Sequence, residues 1–94
     1  MECHRLIFRS HAIQRMFRRQ ISADEVQHVL NSGKTIEDYP DDQPFPSSLL
    51  SGFVNQRPLH VVVAEDRRTG TCIIVTVYEP NPEHWEQGFE RRRR

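Results

Sequence analysis

The chain predicts an α+β fold in which a two-helix hairpin packs on a small, mostly antiparallel sheet of four to five strands and a C-terminal helix closes the molecule. Three observations carry this. Residues 58–66 and 71–80 are dominated by Val, Ile, Thr and Tyr, and Gly70 offers the positive φ with which a turn ends, so the two arms read as a β-hairpin. Residues 10–32 twice repeat apolar side chains at helical spacing, with a capping signal before the second repeat. Pro40, Pro44 and Pro46 remove backbone donors and fix φ between these parts, which makes residues 40–46 a loop. Ninety-four residues without repeats or linkers form one domain, residues 1–94.

In chain order, residues 3–8 place Leu6, Ile7 and Phe8 between charged neighbours and read as an edge strand. Ser10 is the expected N-cap of the first helix, residues 10–19, whose Ala12, Ile13, Met16 and Phe17 make the apolar face. His11, Arg15 and Arg18 follow at i, i+4 and i+7, a basic stripe headed by an imidazole, with Gln14 and Arg19 beside it. Ser22 and Glu25 have capping-box spacing, and Ile21 with Val26 forms a hydrophobic staple. Val26, Val29 and Leu30 continue the buried face of the second helix, and Gly33 is the expected left-handed end. Residues 35–39 and 48–54 read as strands. After Pro80, Asn81 and Pro82 have the cap-then-proline order of a helix start, with Trp85 and Phe89 spaced to anchor that helix and residues 91–94 fraying.

Composition bounds the function. At 36% hydrophobic and 28% charged, the chain is ordinary for a soluble globular protein. It shows no apolar run of spanning length and no signal-peptide core, so no membrane association and a cytoplasmic location are expected. Cys3 and Cys72 are expected as free thiols, as in most cytosolic chains. Net charge is zero but segregated. Arg5, Arg9, Arg15, Arg18 and Arg19 open the chain, Glu37, Asp38, Asp41 and Asp42 follow, and residues 91–94 close it with four arginines. Lys34 is the only lysine among 13 basic residues, and the arginine fork grips phosphate or carboxylate in two-pronged fashion. A phosphate-bearing partner is favoured over plain mutual neutralisation of the two blocks only on even terms, since surface charges usually just solvate.

Both alternation sets of the central hairpin are apolar, the mark of strands covered on both faces. Within it stand His60, Thr76 and Tyr78. A four-residue loop at 67–70 puts His60 opposite Val77, with Thr76 and Tyr78 on the other side; a three- or five-residue loop puts all three together. Sequence leaves that parity open.

The motifs H-A-I-Q-R-M at 11–16, I-E-D-Y at 36–39, P-L-H-V at 58–61 and T-V-Y-E-P at 76–80, followed by a tryptophan, cover nearly the whole chain. They resemble a small family of domains of unknown function. That family is similar in turn to the RelE/ParE toxin superfamily, and I-S-A-D-E-V at 21–26 resembles a helix of the BrnT-type ribonuclease toxins. The resemblance implies a RelE-like scaffold, a toxin held by a small acidic antitoxin, and metal-independent cleavage of messenger RNA; nothing in it points directly to DNA. Where BrnT-like toxins carry an arginine in the last strand, this chain has Thr76, Val77 and Tyr78.

RNA cleaves itself when its 2′-hydroxyl is aligned with the adjacent phosphorus, so a protein need supply a base, an acid and positive charge, without metal or cofactor. The expected site is His11, Arg15, His60 and Tyr78, with Arg18, Arg19, Arg91 and Arg92 holding RNA. Against this stand ordinary readings. A histidine in a β-branched run is more often buried and hydrogen-bonded to the backbone. Tyr78 and Trp85 are more often packing residues, and Arg15 has the 37–42 acidic block as a rival partner. Cys3, His4, Cys72 and His84 lack the paired spacing of a zinc site. The alternative function is a non-catalytic module that uses the same fold to hold a protein or nucleic acid.

Overall fold

The structure is a computed structural model that describes all 94 residues. Its elements run β1 (Arg5–Phe8), α1 (Ser10–Arg19), α2 (Ala23–Ser32), β2 (Lys34–Tyr39), β3 (Ser47–Val54), β4 (Arg57–Asp66) and β5 (Thr71–Tyr78). The strands form one sheet in the order β1-β5-β4-β3-β2, in which only β1 with β5 is parallel. The expected α+β architecture with five strands and a helical hairpin is therefore observed.

Both helices lie on one face. Leu59, Val61 and Val63 of β4 point there, with Leu50, Ile74 and Val77 from neighbouring strands and Ala12, Val26, Val29 and Leu30 from the helices, all buried. Taking each β4 side chain out of water is worth about 1.5–3 kcal/mol, so this layer holds the helices to the sheet. The capping box forms as foreseen: Glu25 N–H donates to Ser22 Oγ and Ser22 N–H to Glu25 Oε1. Two caps differ. Arg9, extended at φ −70° and ψ 152°, precedes α1, and no side chain caps it, so Ser10 is already helical. Gly33 has φ −75°, not a left-handed conformation. Its glycine is needed for space, because a Cβ there would lie 2.5 Å from the Val29 carbonyl oxygen and 3.0 Å from that of Ser51. The left-handed residue is Gln20, φ 55°, which ends α1 with Ile21 N–H donating to Met16 O.

The C-terminal helix does not form. Asn81 Oδ1 accepts from Glu83 N–H, and His84 N–H donates to Asn81 O, so the foreseen start makes one turn. Gly88 and Phe89 then take positive φ, 92° and 61°, which no right-handed helix accommodates. The segment folds instead into a narrow loop closed by a Trp85–Arg92 bridge, with Glu86 N–H donating to Arg91 O and Arg93 N–H to His84 O. This strap covers part of the sheet face opposite the helices, so both faces are covered, as the apolar pattern required.

Cys3 and Cys72 are joined in a disulfide, contrary to the expectation of free thiols. β1 pairs with β5 with Leu6 opposite Cys72, which brings the segment before β1 alongside Cys72. No helix is long and apolar enough to cross a membrane.

Candidate functional site on the open sheet face

The hairpin turn spans residues 67–70, as the four-residue alternative held, because Asp66 pairs with Thr71. A register shift then inserts Val75: Val63 pairs with Ile74 but Val62 with Thr76. That bulge reverses the parity beyond it, so His60 faces Tyr78 directly across the strands, and Thr76, beside Val62, shares their face.

Around this pair the strap builds an enclosure. His60 Nδ1 is 3.1 Å from the Tyr78 hydroxyl, and Nε2 is 2.7 Å from the Phe89 backbone oxygen. Trp85 meets the imidazole edge-on with centroids 4.5 Å apart, and Tyr78 at 5.2 Å. The Phe89 oxygen also accepts from Ser51 Oγ at 3.2 Å, and the Phe89 ring packs edge-on to Phe53. His60 is consequently 0% exposed. Beside it, Thr76 Oγ1 is buried without a hydrogen-bond partner.

The strap is held at its outer end by charge. Arg92 Nε donates to Glu37 Oε2 at 3.1 Å, and the guanidinium stacks 4.7 Å from the Trp85 ring centre. Tyr39 donates its hydroxyl proton to the other Glu37 oxygen, and Lys34 pairs with Glu90 at 3.1 Å. Glu37 and Tyr39 share the open face because a second bulge, between Thr35 and Glu37, sets the β2 register.

Titration follows from these contacts. Burial pushes the His60 imidazole below its ordinary value of 6.5, with the Phe89 carbonyl opposing and nearby Arg92 assisting. Burial pushes the Tyr78 phenol above 10.0, against the pull of Arg92 and, more weakly, Arg15. The Tyr39 hydrogen bond, with Arg92 adding to it, holds Glu37 below 4.5. The same bond raises Tyr39, and the Glu37 carboxylate raises Arg92. His60 and Tyr78 are thus a neutral pair near neutral pH.

The expected site is brought together only in part. His60 and Tyr78 touch, while Arg15 makes no hydrogen bond or ion pair with either and adds only the weakest of the pulls on the phenol. His11, exposed and without hydrogen bond or ion pair, belongs to the helix layer, whereas His60 is sealed on the opposite face. A single hollow lined by both imidazoles does not form, because the strap fills the space over His60. Arg18, Arg19, Arg91 and Arg92 are exposed, but Arg92 is engaged by Glu37, the role given to Arg15 as a rival reading. No group of three or more His, Cys, Asp or Glu side chains is placed to hold a metal.

Two side-chain contacts were not foreseen in the sequence. The Arg57 guanidinium donates to the backbone oxygens of Arg19 and Gln20 and pairs with Glu79 and Glu25, clasping the end of α1 to the end of β5. No local pattern announces a contact across 37 residues. The Glu37–Arg92 pair was missed for the same reason, while Gly88 was the available sign that the last helix breaks.

Residues 8–79 match the family described as domain of unknown function (DUF4258). No curated protein and no solved structure matches the chain.

Proposed function

The chain belongs to the DUF4258 family, and from that premise we propose a RelE/BrnT-like toxin that cleaves RNA without metal, centred on Tyr78 and Arg15 and held in check by a small acidic partner in the cytoplasm. The observation that carries the reading is a partly exposed phenol hydrogen-bonded to a fixed imidazole. A phenol kept protonated is suited to donate its proton to the departing 5′-oxygen. Arg15, unpaired in the fold, is suited to the charge that develops on phosphorus. His11, in the helix layer, lies on the other side of the sheet from Tyr78 and takes no part in this centre, so solvent water takes the 2′-hydroxyl proton. His60 never meets substrate and positions Tyr78. Arg18, Arg19 and Arg91 line the approach of the chain; Arg92 does so only when it leaves Glu37.

Purified protein incubated with RNA, with and without ribosomes, should yield 2′,3′-cyclic phosphate ends that Tyr78→Phe and Arg15→Ala abolish. Their absence in both settings overturns the reading. A second reading, a non-catalytic binding module, draws on the sealing of His60, whose two ring nitrogens are already satisfied. It expects His11→Ala and His60→Ala to leave partner binding unchanged. The disulfide pulls against a cytoplasmic location, because such bonds persist mainly in oxidising compartments. Trapping thiols in intact cells decides which state is present.

A further inference from the structure

Helix α1 turns Ala12 and Met16 to the core, and that line divides two unpartnered shoulders. On one side, Ile13 and Phe17 lie one turn apart and are 53% and 87% exposed. They adjoin an open hollow of about 500 Å³ lined by Met16, Phe17, Gln20, Ile21 and Ser22. On the other side are Arg15 and Arg19, with Arg18 further round and Arg9 just before the helix. None of these four side chains makes an ion pair or a hydrogen bond, so their charge faces solvent uncompensated; the basic residues that do pair are Lys34, Arg57, Arg68 and Arg92. The helix contains no Asp or Glu, and Glu25 at the start of α2 is taken by Arg57.

An aromatic ring and a branched aliphatic chain left in water beside four free cations mark a surface built for contact. The charge decides the occupant. A two-fold contact with a second copy would set arginine against arginine with no carboxylate from the helix between. A nucleic acid would use the cations but gain nothing from Ile13, which offers no plane for a base to stack on. We propose that α1 is the docking face for an amphipathic helix of another protein, apolar against Ile13 and Phe17 and acidic against Arg15 and Arg18. The hollow beside Phe17 takes one large apolar side chain of that helix, and the arginine shoulder fixes its register. This deepens the partner half of the reading above by giving it a face and a chemistry, and it requires no cleavage.

The test uses the full chain and a fluorescent synthetic helix bearing a leucine stripe flanked by glutamates, with two control peptides: one of scrambled order and one with lysine for glutamate. Anisotropy should show micromolar binding of the first peptide alone. Ile13→Ala with Phe17→Ala, and separately Arg18→Glu, should each weaken it at least about tenfold. Unchanged circular dichroism and melting are expected, since these side chains are exposed. RNA is absent from the assay, so docking and cleavage fail independently. Equal binding of the scrambled peptide, or indifference to Ile13→Ala with Phe17→Ala, overturns the proposal. So does peptide binding that survives Arg18→Glu, which would leave the arginine shoulder no part in it. Self-association in sedimentation that Phe17→Ala removes would likewise overturn it and assign the face to a second copy.

Discussion

His60 Nε2 lies 2.7 Å from the backbone oxygen of Phe89. A carbonyl can only accept, so Nε2 carries the proton, Nδ1 is left bare, and the Tyr78 hydroxyl donates to it. One backbone atom of the strap thus fixes both the tautomer of a strand histidine and the direction in which a strand phenol points.

The first expected outcome is spectroscopic and energetic. Nitrogen chemical shifts should show a neutral His60 protonated on Nε2 at neutral pH. His60→Ala leaves a cavity, takes the closer of its two donors from the Phe89 oxygen and leaves the Tyr78 hydroxyl without its imidazole partner, at a cost of about 3 kcal/mol in urea unfolding. A cost near zero would mean that the strap does not rest on this ring.

Acid should loosen the molecule in two stages. The folded state holds His60 below its ordinary 6.5, so the unfolded chain binds the extra proton first and stability falls as pH drops below that value towards the folded one. Glu37, held below 4.5, contributes stability that is present above 4.5 and lost as pH falls through its lowered value. Melting temperature against pH should show both declines, and His60→Phe should remove only the first.

Arg92→Ala removes the ion pair to Glu37 and the stack on Trp85 together. Both are partly exposed, so the global loss should be about 1 kcal/mol. Locally the effect should be larger. The amides of Glu86, Phe89 and Arg93, which close the strap loop, should exchange faster, while those of β4 should not.

Reducing the disulfide frees a loop of 69 residues' separation. Cys3→Ser with Cys72→Ser should lower stability by about 2–5 kcal/mol relative to the oxidised chain and by nothing relative to the reduced one. Comparing denaturation with and without reductant checks both statements.

The fold was legible where local chemistry carried it. The Ser22–Glu25 box needs four adjacent residues, and the two-sided apolar pattern of β4 and β5 announced cover on both faces. What the sequence hid was set at long range. Val75 has no feature that distinguishes a bulge residue from an ordinary strand valine, so the approach of Tyr78 to His60 stayed open. Trp85 and Phe89 have helical spacing, and they reach the sheet equally well from a loop; Gly88 and Phe89, in positive φ, decide between the two. For the site, the pairing of Arg92 rather than Arg15 with Glu37 depends on where the strap returns, which no spacing within the acidic block encodes.

The inserted Val75 has a consequence for what this sheet can display. Were Val75 taken into regular pairing opposite Val62 instead of being left out of the ladder, the end of β5 would turn over, sending the Tyr78 phenol into hydrocarbon beneath α1 and Val77 out to the side where His60 waits. A residue with no reactive atom of its own thereby selects which reactive atoms the outside world meets.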